Sequence, residues 1–387
     1  MELWEKVFYW ATFSDIRKNL SSDLVHIDPF ASGYGFRPYD QERKVLSVKC
    51  SLSLVCSSWR TLSLPFLLED IWIHIRGVRA LETVLEREFD RDGKRLGSLV
   101  RCARVRLYRA GTGIDSYCKT IVSPRTGRIL SLCRDIRLLV TLPGVLPVEK
   151  HKTGNTHYPA DVAFRDLYMP KLVFAELNGC MAVPDFVVRA LNLQYLSIQD
   201  DVTWGTAGLR GKIRILEVEG RALLHSMSHI GRPALDKLIV RLSVQTAAWF
   251  SNPPFAFVRC LDLRFMDGFP RSYLIRFISK LPDIESLYYP VMKLNRFQHR
   301  EVDPERPPVP FPKLQTIGLR DEAKSTNTRD TNFAIRHIKW LGDLEATFPG
   351  LKEVVLYGST WSEHCRKPEF NKIMKFLAGK GVSITYG

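Results

Sequence analysis

His225 and His229 stand four residues apart in "HSMSH", the spacing that sets two imidazoles on one face of a helix and supplies half of a zinc site. No carboxylate falls inside that pentapeptide to extend the set, so a loop or surface helix is its expected home. "SGYGF" (32–36) offers two glycines for a phosphate cradle, yet no strand pattern precedes it and no helix pattern follows. Neither Gly-x-x-x-x-Gly-Lys-Ser/Thr, nor His-Glu-x-x-His, nor Gly-x-Ser-x-Gly occurs. Eight cysteines include no Cys-x-x-Cys pair. Cys50 and Cys56 fall in a helical pattern, and Cys102, Cys133, Cys180 and Cys260 fall in or beside strand patterns, so buried thiols are expected. His364 and Cys365 are adjacent and point apart on any regular element. The expectation is a non-enzymatic protein with no metal and no cofactor.

Charge raises a second kind of chemistry. The chain of 387 residues carries a formal +15. Residues 91–137 hold twelve Lys/Arg against Asp92, Asp115 and Asp135, a net of +9, so one segment carries more than half of the imbalance. An acidic partner would use such a segment, but so would a solvated face that maintains solubility. Aromatic residues are not interleaved as in a base-stacking platform, so nucleic acid is not the expected partner.

The elements that would position these groups come in two styles. Hydrophobic residues make up 45% of the chain, enough for a substantial core. No apolar run approaches a membrane span, and "MELWEKVFYW" has Glu2 and Glu5 where a secretory signal has basic and small residues, so a cytoplasmic or nuclear location is expected. Leu3, Trp4, Val7, Phe8 and Ala11 predict an amphipathic helix over 1–13. Residues 14–40, with Gly33, Gly35 and Pro38, read as a loop. Val45, Val48, Leu52, Val55, Cys56 and Trp59 predict a second helix, Leu62–Glu69 a short third, and Ile71, Ile73 and Ile75 a strand. Val78, Leu81, Val84 and Leu85 return to helical spacing.

Beyond that point the chain becomes a weak repeat. Leu-x-x-Leu-x-Leu, with aliphatic substitutes, fits ten times. The early fits are Cys102/Val105/Leu107, Cys133/Ile136/Leu138, Leu172/Ala175/Leu177 and Leu193/Leu196/Ile198. The later ones are Ile213/Leu216/Val218, Leu235/Leu238/Val240, Val258/Leu261/Leu263, Ile284/Leu287/Tyr289, Leu314/Ile317/Leu319 and Leu351/Val354/Leu356. "MPKL", "LPDI", "FPKL" and "FPGL" precede several of them, which predicts a shared turn feeding each strand. The intervals run from about 20 to nearly 40 residues, wider than a regular leucine-rich repeat, and helical patterns at 271–280 and 332–347 fill two of them. A single mixed α/β sheet is the alternative, but ten strands that each need a neighbour argue for a solenoid of parallel strands and outer helices.

"LSLVCSSWRTLSLPFLLEDIWI" resembles the second half of an F-box, with Val55, Cys56, Trp59, Arg60 and Leu62 at the places of Val-Cys-x-x-Trp-Arg-x-Leu and Leu54 directly before them. "ELWEKVFYWAT" resembles its first helix. Together with "FRPYDQERKVL" and the repeats, the chain is most similar to F-box proteins of mushroom-type (basidiomycete) fungi that carry degenerate leucine-rich arrays. It departs from the family in beginning at Met1-Glu2-Leu3, without the usual Leu-Pro, and in the insertion at 14–40. The resemblance implies an α/β chain: a three-helix F-box-like module over 1–75 and a leucine-rich-repeat-like solenoid over 76–387. It also implies a Skp-type adaptor as partner, and through it a cullin–RING ubiquitin ligase. Three short helices cannot hide all their apolar residues, so Leu3, Trp4, Val7, Leu54, Val55 and Leu64 are the expected adaptor face, with Trp59 as core.

In such a solenoid the residues flanking the second and third Leu positions should face solvent on the concave side and hold a protein substrate. They are Arg104, Arg106, Arg137, Tyr195, Glu217, Arg241, Arg264, Tyr288, Arg320 and Tyr357, joined by Tyr108, Glu176, Asn178, Gln199, Glu219, Lys237, Asp262 and Glu353. Arg104, Arg106 and Arg137 would meet an acidic or phosphorylated segment. Two other functions fit the same pattern: a leucine-rich scaffold, or a basic nucleic-acid binder, without ligase association.

Overall fold

The computed structural model describes residues 2–11, 39–74, 77–87, 93, 95–110, 119–144, 158–178, 184–198, 213–219, 235–242, 258–265, 278, 281–291, 310–321, 348–358, 361 and 366–386. The chain is α/β and divides by its contacts into two units, residues 1–213 with 228–233, and residues 214–227 with 234–387. No helix of the described residues is long and apolar enough to cross a membrane.

The first unit opens with α1 (Glu2–Ala11), α2 (Tyr39–Leu54) and α3 (Ser57–Leu68). The second predicted helix is therefore split in two. Cys56 breaks it: its backbone is extended (φ −161°, ψ 173°) and its Sγ accepts the Trp59 N–H at 3.5 Å, so it caps α3 instead of continuing α2. Tyr39 and Asp40 belong to α2 rather than to the loop read over 14–40. The rest of that loop, and the helices expected at 271–280 (apart from Ile278) and 332–347, lie outside the described residues.

Five parallel strands follow in spatial order: β1 (Asp70–Ile73), β2 (Cys102–Ala110), β4 (Leu138–Gly144), β6 (Phe174–Leu177) and β7 (Tyr195–Ile198). β3 (Lys119–Val122) pairs antiparallel with the far half of β2, and β5 (Tyr158–Pro159) pairs antiparallel with β3. Among the described residues the second unit holds a run of seven strands, each parallel to the next: β8 (Ile215–Glu219), β9 (Lys237–Leu242), β10 (Cys260–Phe265), β11 (Ser286–Val291), β12 (Thr316–Asp321), β13 (Glu353–Tyr357) and β14 (Ser383–Tyr386). Parallel strands stacked in chain order are the arrangement of a leucine-rich-repeat solenoid.

One local device sets the register. In "MPKL", "LPDI", "FPKL" and "FPGL" the first carbonyl accepts the N–H three residues on, from Leu172, Ile284, Leu314 and Leu351 at 3.1–3.2 Å. Each is a β-turn with Pro at its second position, where the fixed φ of proline belongs. The same turn recurs without proline at Cys133–Ile136 and Ala190–Leu193. The chain then donates two successive N–H groups to one carbonyl of the strand before: Val173 and Phe174 to Arg137, Gln194 and Tyr195 to Val173, Gln315 and Thr316 to Glu285. Turn and shared carbonyl leave each strand one phase.

That phase agrees with eight of the ten triplets and corrects two. Ala103, Leu139, Ala175 and Leu196 stand side by side, so the aligned sets are Val100/Ala103/Val105 and Ile136/Leu139/Thr141, shifted by two and three residues from those read in the sequence. Small Ala103 and polar Thr141 occupy inward places that the template expects to be leucine. Thr141 is accommodated because its Oγ1 donates to the Asn178 carbonyl at 3.0 Å and accepts from the Asn178 N–H at 2.6 Å. Ile71 pairs with Ala103, so Leu68/Ile71/Ile73 is an aligned set too, and β1 of the 1–75 segment is a strand of this sheet. All thirty residues of the original triplets are buried except Leu351, which is half-buried. Strands covered on both faces are nearly continuously apolar, so alternation alone does not reveal their frame.

Candidate protein-interaction site

Two sets of residues carry the functional expectation, and they differ in exposure. On the N-terminal helices, Phe8 is buried and meets the Trp59 ring edge-on, with centroids 5.1 Å apart. Trp4 packs on the same ring at 5.1 Å, so α1 is held to α3 by three aromatics. Trp59 is half-buried by this, not sealed. Arg60 donates from Nε to the Ser53 carbonyl at 3.3 Å and ties the start of α3 to the end of α2.

Outside that aromatic lock the apolar residues are open. Leu3 is 73% exposed, Leu54 74%, Val55 60%, Trp4 47% and Val7 46%. Leu64 is half-buried and contributes less than the sequence suggested. Leu46 and Val48 on α2 are exposed as well, although Val48 was expected on a buried face. Leu46 was missed because it lies off the helical stripe. Seven large apolar side chains open to water around one three-helix segment is the pattern of a contact surface.

The strand faces behave otherwise. Arg104 is 2% exposed, its Nε 3.3 Å from Asp70 Oδ1 and its guanidinium 5.0 Å from the centre of the Trp72 ring. Tyr195 is 1% exposed and stacks on Phe174 of the next strand at 4.3 Å. Glu217 is 1% exposed, with Arg264 at 3.5 Å. These three do not face solvent, and neither do Tyr108, Glu176, Asn178, Lys237 and Asp262. The reason is lateral. Strands about 4.8 Å apart let a long side chain lie along the face over its neighbour, where charge meets charge and ring meets ring. Arg106 and Arg137 are exposed, but Arg137 precedes β4, in the turn exit, so the three arginines do not form one row.

In the second unit Arg264, Tyr288, Arg320 and Tyr357 are half-buried; the side chain of Arg241 and Gln199 lie outside what is described. A polar ladder crosses this face. Lys237 Nζ stands 3.4 Å and Arg264 3.5 Å from Asp262 Oδ2, and Lys237 also lies 5.6 Å from the Tyr288 ring centre. Asp262 is completely buried, and burial outweighs both cations, so its carboxyl is held above the usual carboxylate range. The cations are too far for the short charge-assisted bonds that would reverse this. The Tyr288 ring rests on Gly318, where a Cβ would come within 2.1 Å of Cδ1, and its centre lies 6.2 Å from that of Tyr357.

Intramolecular pairs also absorb part of the basic segment. Glu82, buried on α4 (Val78–Leu85), is bound by Arg125, and by Arg128 at 2.9 Å, both near α5 (Thr126–Leu132). Arg101 and Lys171 flank Asp135 at 3.3 and 2.5 Å and, against its burial, hold its carboxyl below the usual range. Burial pushes the thiols of Cys133 and Cys260 up to about 12, so neither is a thiolate at neutral pH. Cys50 and Cys56 are exposed, contrary to expectation, while His225 and His229 lie outside the described residues.

No family model matches the chain, and no curated protein matches it. Among solved structures it is similar to a Bacteroides fragilis protein determined as a structural-genomics target, with 10% identity, 82% of this chain and 74% of that one covered, and a TM-score of 0.36. A likeness that distant carries no argument.

Proposed function

We propose that the chain is a non-enzymatic substrate-recognition subunit of a Skp–cullin–F-box ubiquitin ligase, acting in the cytoplasm or nucleus. The N-terminal helices dock on a Skp-type adaptor, and the strand array holds a protein substrate. The observation that carries the reading is the exposure of Leu3, Trp4, Val7, Leu54 and Val55 around a helix pair whose own contact, Trp4 and Phe8 on Trp59, is already made. Apolar area of this kind is stabilised only when something else covers it. The Val-Cys-x-x-Trp-Arg-x-Leu pattern of an F-box supports the same assignment, since it places Val55 at the α2–α3 junction, directly after Leu54.

Function then follows from geometry: a target held beside a charged ubiquitin carrier experiences a raised effective concentration, with no chemistry required of this chain. Substrate contact falls to residues that keep solvent access, which are Arg106 and Arg137 in the first unit and Arg264, Tyr288, Arg320 and Tyr357 in the second. Co-expression of the full chain with a Skp-type adaptor tests the assignment. The complex should co-purify, and Leu3→Asp with Leu54→Asp should abolish it while leaving the circular dichroism spectrum unchanged. A variant that still co-purifies sinks the proposal.

A further inference from the structure

Beyond the N-terminal helices, the large apolar side chains that the first unit exposes among its described residues are Val162, Tyr168 and Leu191, the last two at 76% and 70%. Tyr168 directly precedes the proline turn Met169–Leu172, and Leu191 lies inside the turn Ala190–Leu193. These turns feed the neighbouring parallel strands β6 and β7, and Asn192 Nδ2 donates across them to the Pro170 carbonyl at 2.7 Å. The turn before β4, Cys133–Ile136, adjoins on the other side, where Lys171 meets Asp135 at 2.5 Å. The short helices leading into the two turns, α6 (Ala160–Phe164) and α7 (Asp185–Arg189), are pinned to each other by the buried rings of Phe164 and Phe186, edge-on at 6.1 Å. Three turns on strands about 4.8 Å apart make a ridge roughly 10 Å long, which about three extended residues would cover.

Local structure does not ask for leucine at 191. Pro170, Pro282, Pro312 and Pro349 fill the same second place of the other turns, and Ala190 already has the extended backbone (φ −72°, ψ 100°) that precedes a proline. Leu191 instead holds an apolar side chain in water. The surroundings are basic: "RDIR" (134–137), "RDLYMPK" (165–171) and "RALNLQ" (189–194) hold five basic residues against two acidic ones. One of those two, Asp135, is already flanked by Arg101 and Lys171, whereas Arg134 and Arg165 are exposed. Apolar side chains with a basic rim complement an apolar residue with carboxylates beside it. A nucleic acid fits less well, because one tyrosine offers no row of rings for successive bases.

We propose that this turn ridge docks a short, extended acidic segment of a partner protein. An apolar residue of the segment covers Tyr168 and Leu191, and its flanking carboxylates meet Arg134 and Arg165. A second copy of this chain would bring like charges together at the same place, which disfavours self-association. The ridge belongs neither to the adaptor helices nor to the strand faces, so the proposal does not rest on the ligase reading.

The test uses the full chain and fluorescein-labelled nonapeptides in which Glu surrounds a central Leu, Phe or Trp, read by fluorescence anisotropy. At least one should bind saturably, weaken with salt, and lose ~10-fold or more in affinity for Leu191→Pro and for Arg134→Glu with Arg165→Glu. Leu191→Pro should keep or raise the Tm, since the turn is already shaped for proline, so binding lost there is not folding lost. Should that variant lose Tm, the arginine pair, changed at exposed positions, decides. The proposal is overturned by no binding of any of these peptides, by equal binding when Lys replaces Glu, or by parental affinity in either folded variant. Displacement of the peptides by single-stranded RNA would assign the ridge to nucleic acid, and sedimentation as a dimer that Leu191→Pro splits would assign it to a second copy; both also overturn it.

Discussion

Reversing the charge of Arg104 and of Arg106, two residues apart on β2, separates a buried ladder from an open face. Arg104 is 2% exposed, paired with Asp70 at 3.3 Å and stacked over Trp72, whereas Arg106 is exposed. Arg104→Glu removes one partner of a buried pair and sets a carboxylate against Asp70, a change that costs about 3–5 kcal/mol in buried pairs. The low end applies, because the Asp70 side chain keeps 15% exposure and can partly rehydrate. Loss of the desolvated cation–π contact adds about 1 kcal/mol, giving roughly 4 kcal/mol in total. That corresponds to a fall in Tm of roughly 8–16 °C for a unit of this size. Arg106→Glu should stay within about 0.5 kcal/mol, as surface changes do. Differential scanning fluorimetry and urea titration of both variants decide the matter. Equal stability of the two would refute the buried ladder and restore Arg104 to the solvent face.

Three further outcomes follow from the same geometry. Asp262 has its carboxyl held above its ordinary value of 3.8, so in the folded state its protonated form is favoured; stability from this group is present below 3.8 and is lost as pH rises through the folded value. Asp262→Asn should therefore be at least as stable as the parent at pH 7 in urea titrations, and a large loss there would contradict the assignment. Asp135 has the opposite sign: Lys171 and Arg101 hold it below 3.8, so its contribution is full above that value and disappears as pH falls through the folded value. The stability gap between the parent and Asp135→Asn should close on acidification, and a gap constant with pH would count against the pairing. Gly318→Ala must displace the Tyr288 ring and should cost about 1–3 kcal/mol, less when Tyr288→Ala is already present; strict additivity in the double-mutant cycle would show that the ring does not rest there.

The repeat was legible because its turn is written in the residues that build it. Pro170, Pro282, Pro312 and Pro349 each sit second in a turn whose hydrogen bond is formed, and the six triplets from Ile213 to Leu356 are in register across their strands. The frame failed at β2 and β4, where Ala103 and Thr141 stand inward and aliphatic residues also fill the other face. β14 was not foreseen, since "SITY" lacks a leucine triplet and follows Gly381, which has a positive φ of 77°. The break between α2 and α3 was hidden by a continuous apolar stripe, and depends on Cys56 acting as a cap. For the candidate site, the open residues Leu3, Trp4, Val7, Leu54 and Val55 were legible only with the F-box resemblance, because helical spacing marks an apolar stripe without recording whether anything covers it. The strand-face residues were not, because solvent access there depends on whether a neighbouring strand supplies a counter-charge or a ring, as Asp70 does for Arg104 and Phe174 for Tyr195. A single-strand pattern holds no record of its neighbour.

The central claim is that the apolar side chains on the N-terminal helices are covered by a second protein. Titration calorimetry of the full chain with a purified Skp-type adaptor at several temperatures measures that directly, because burial of apolar area gives a negative heat-capacity change. The account predicts saturable binding with a clearly negative heat-capacity change, both lost in the Leu3→Asp, Leu54→Asp variant. Absence of binding, or binding with a heat-capacity change near zero that the variant retains, would contradict it.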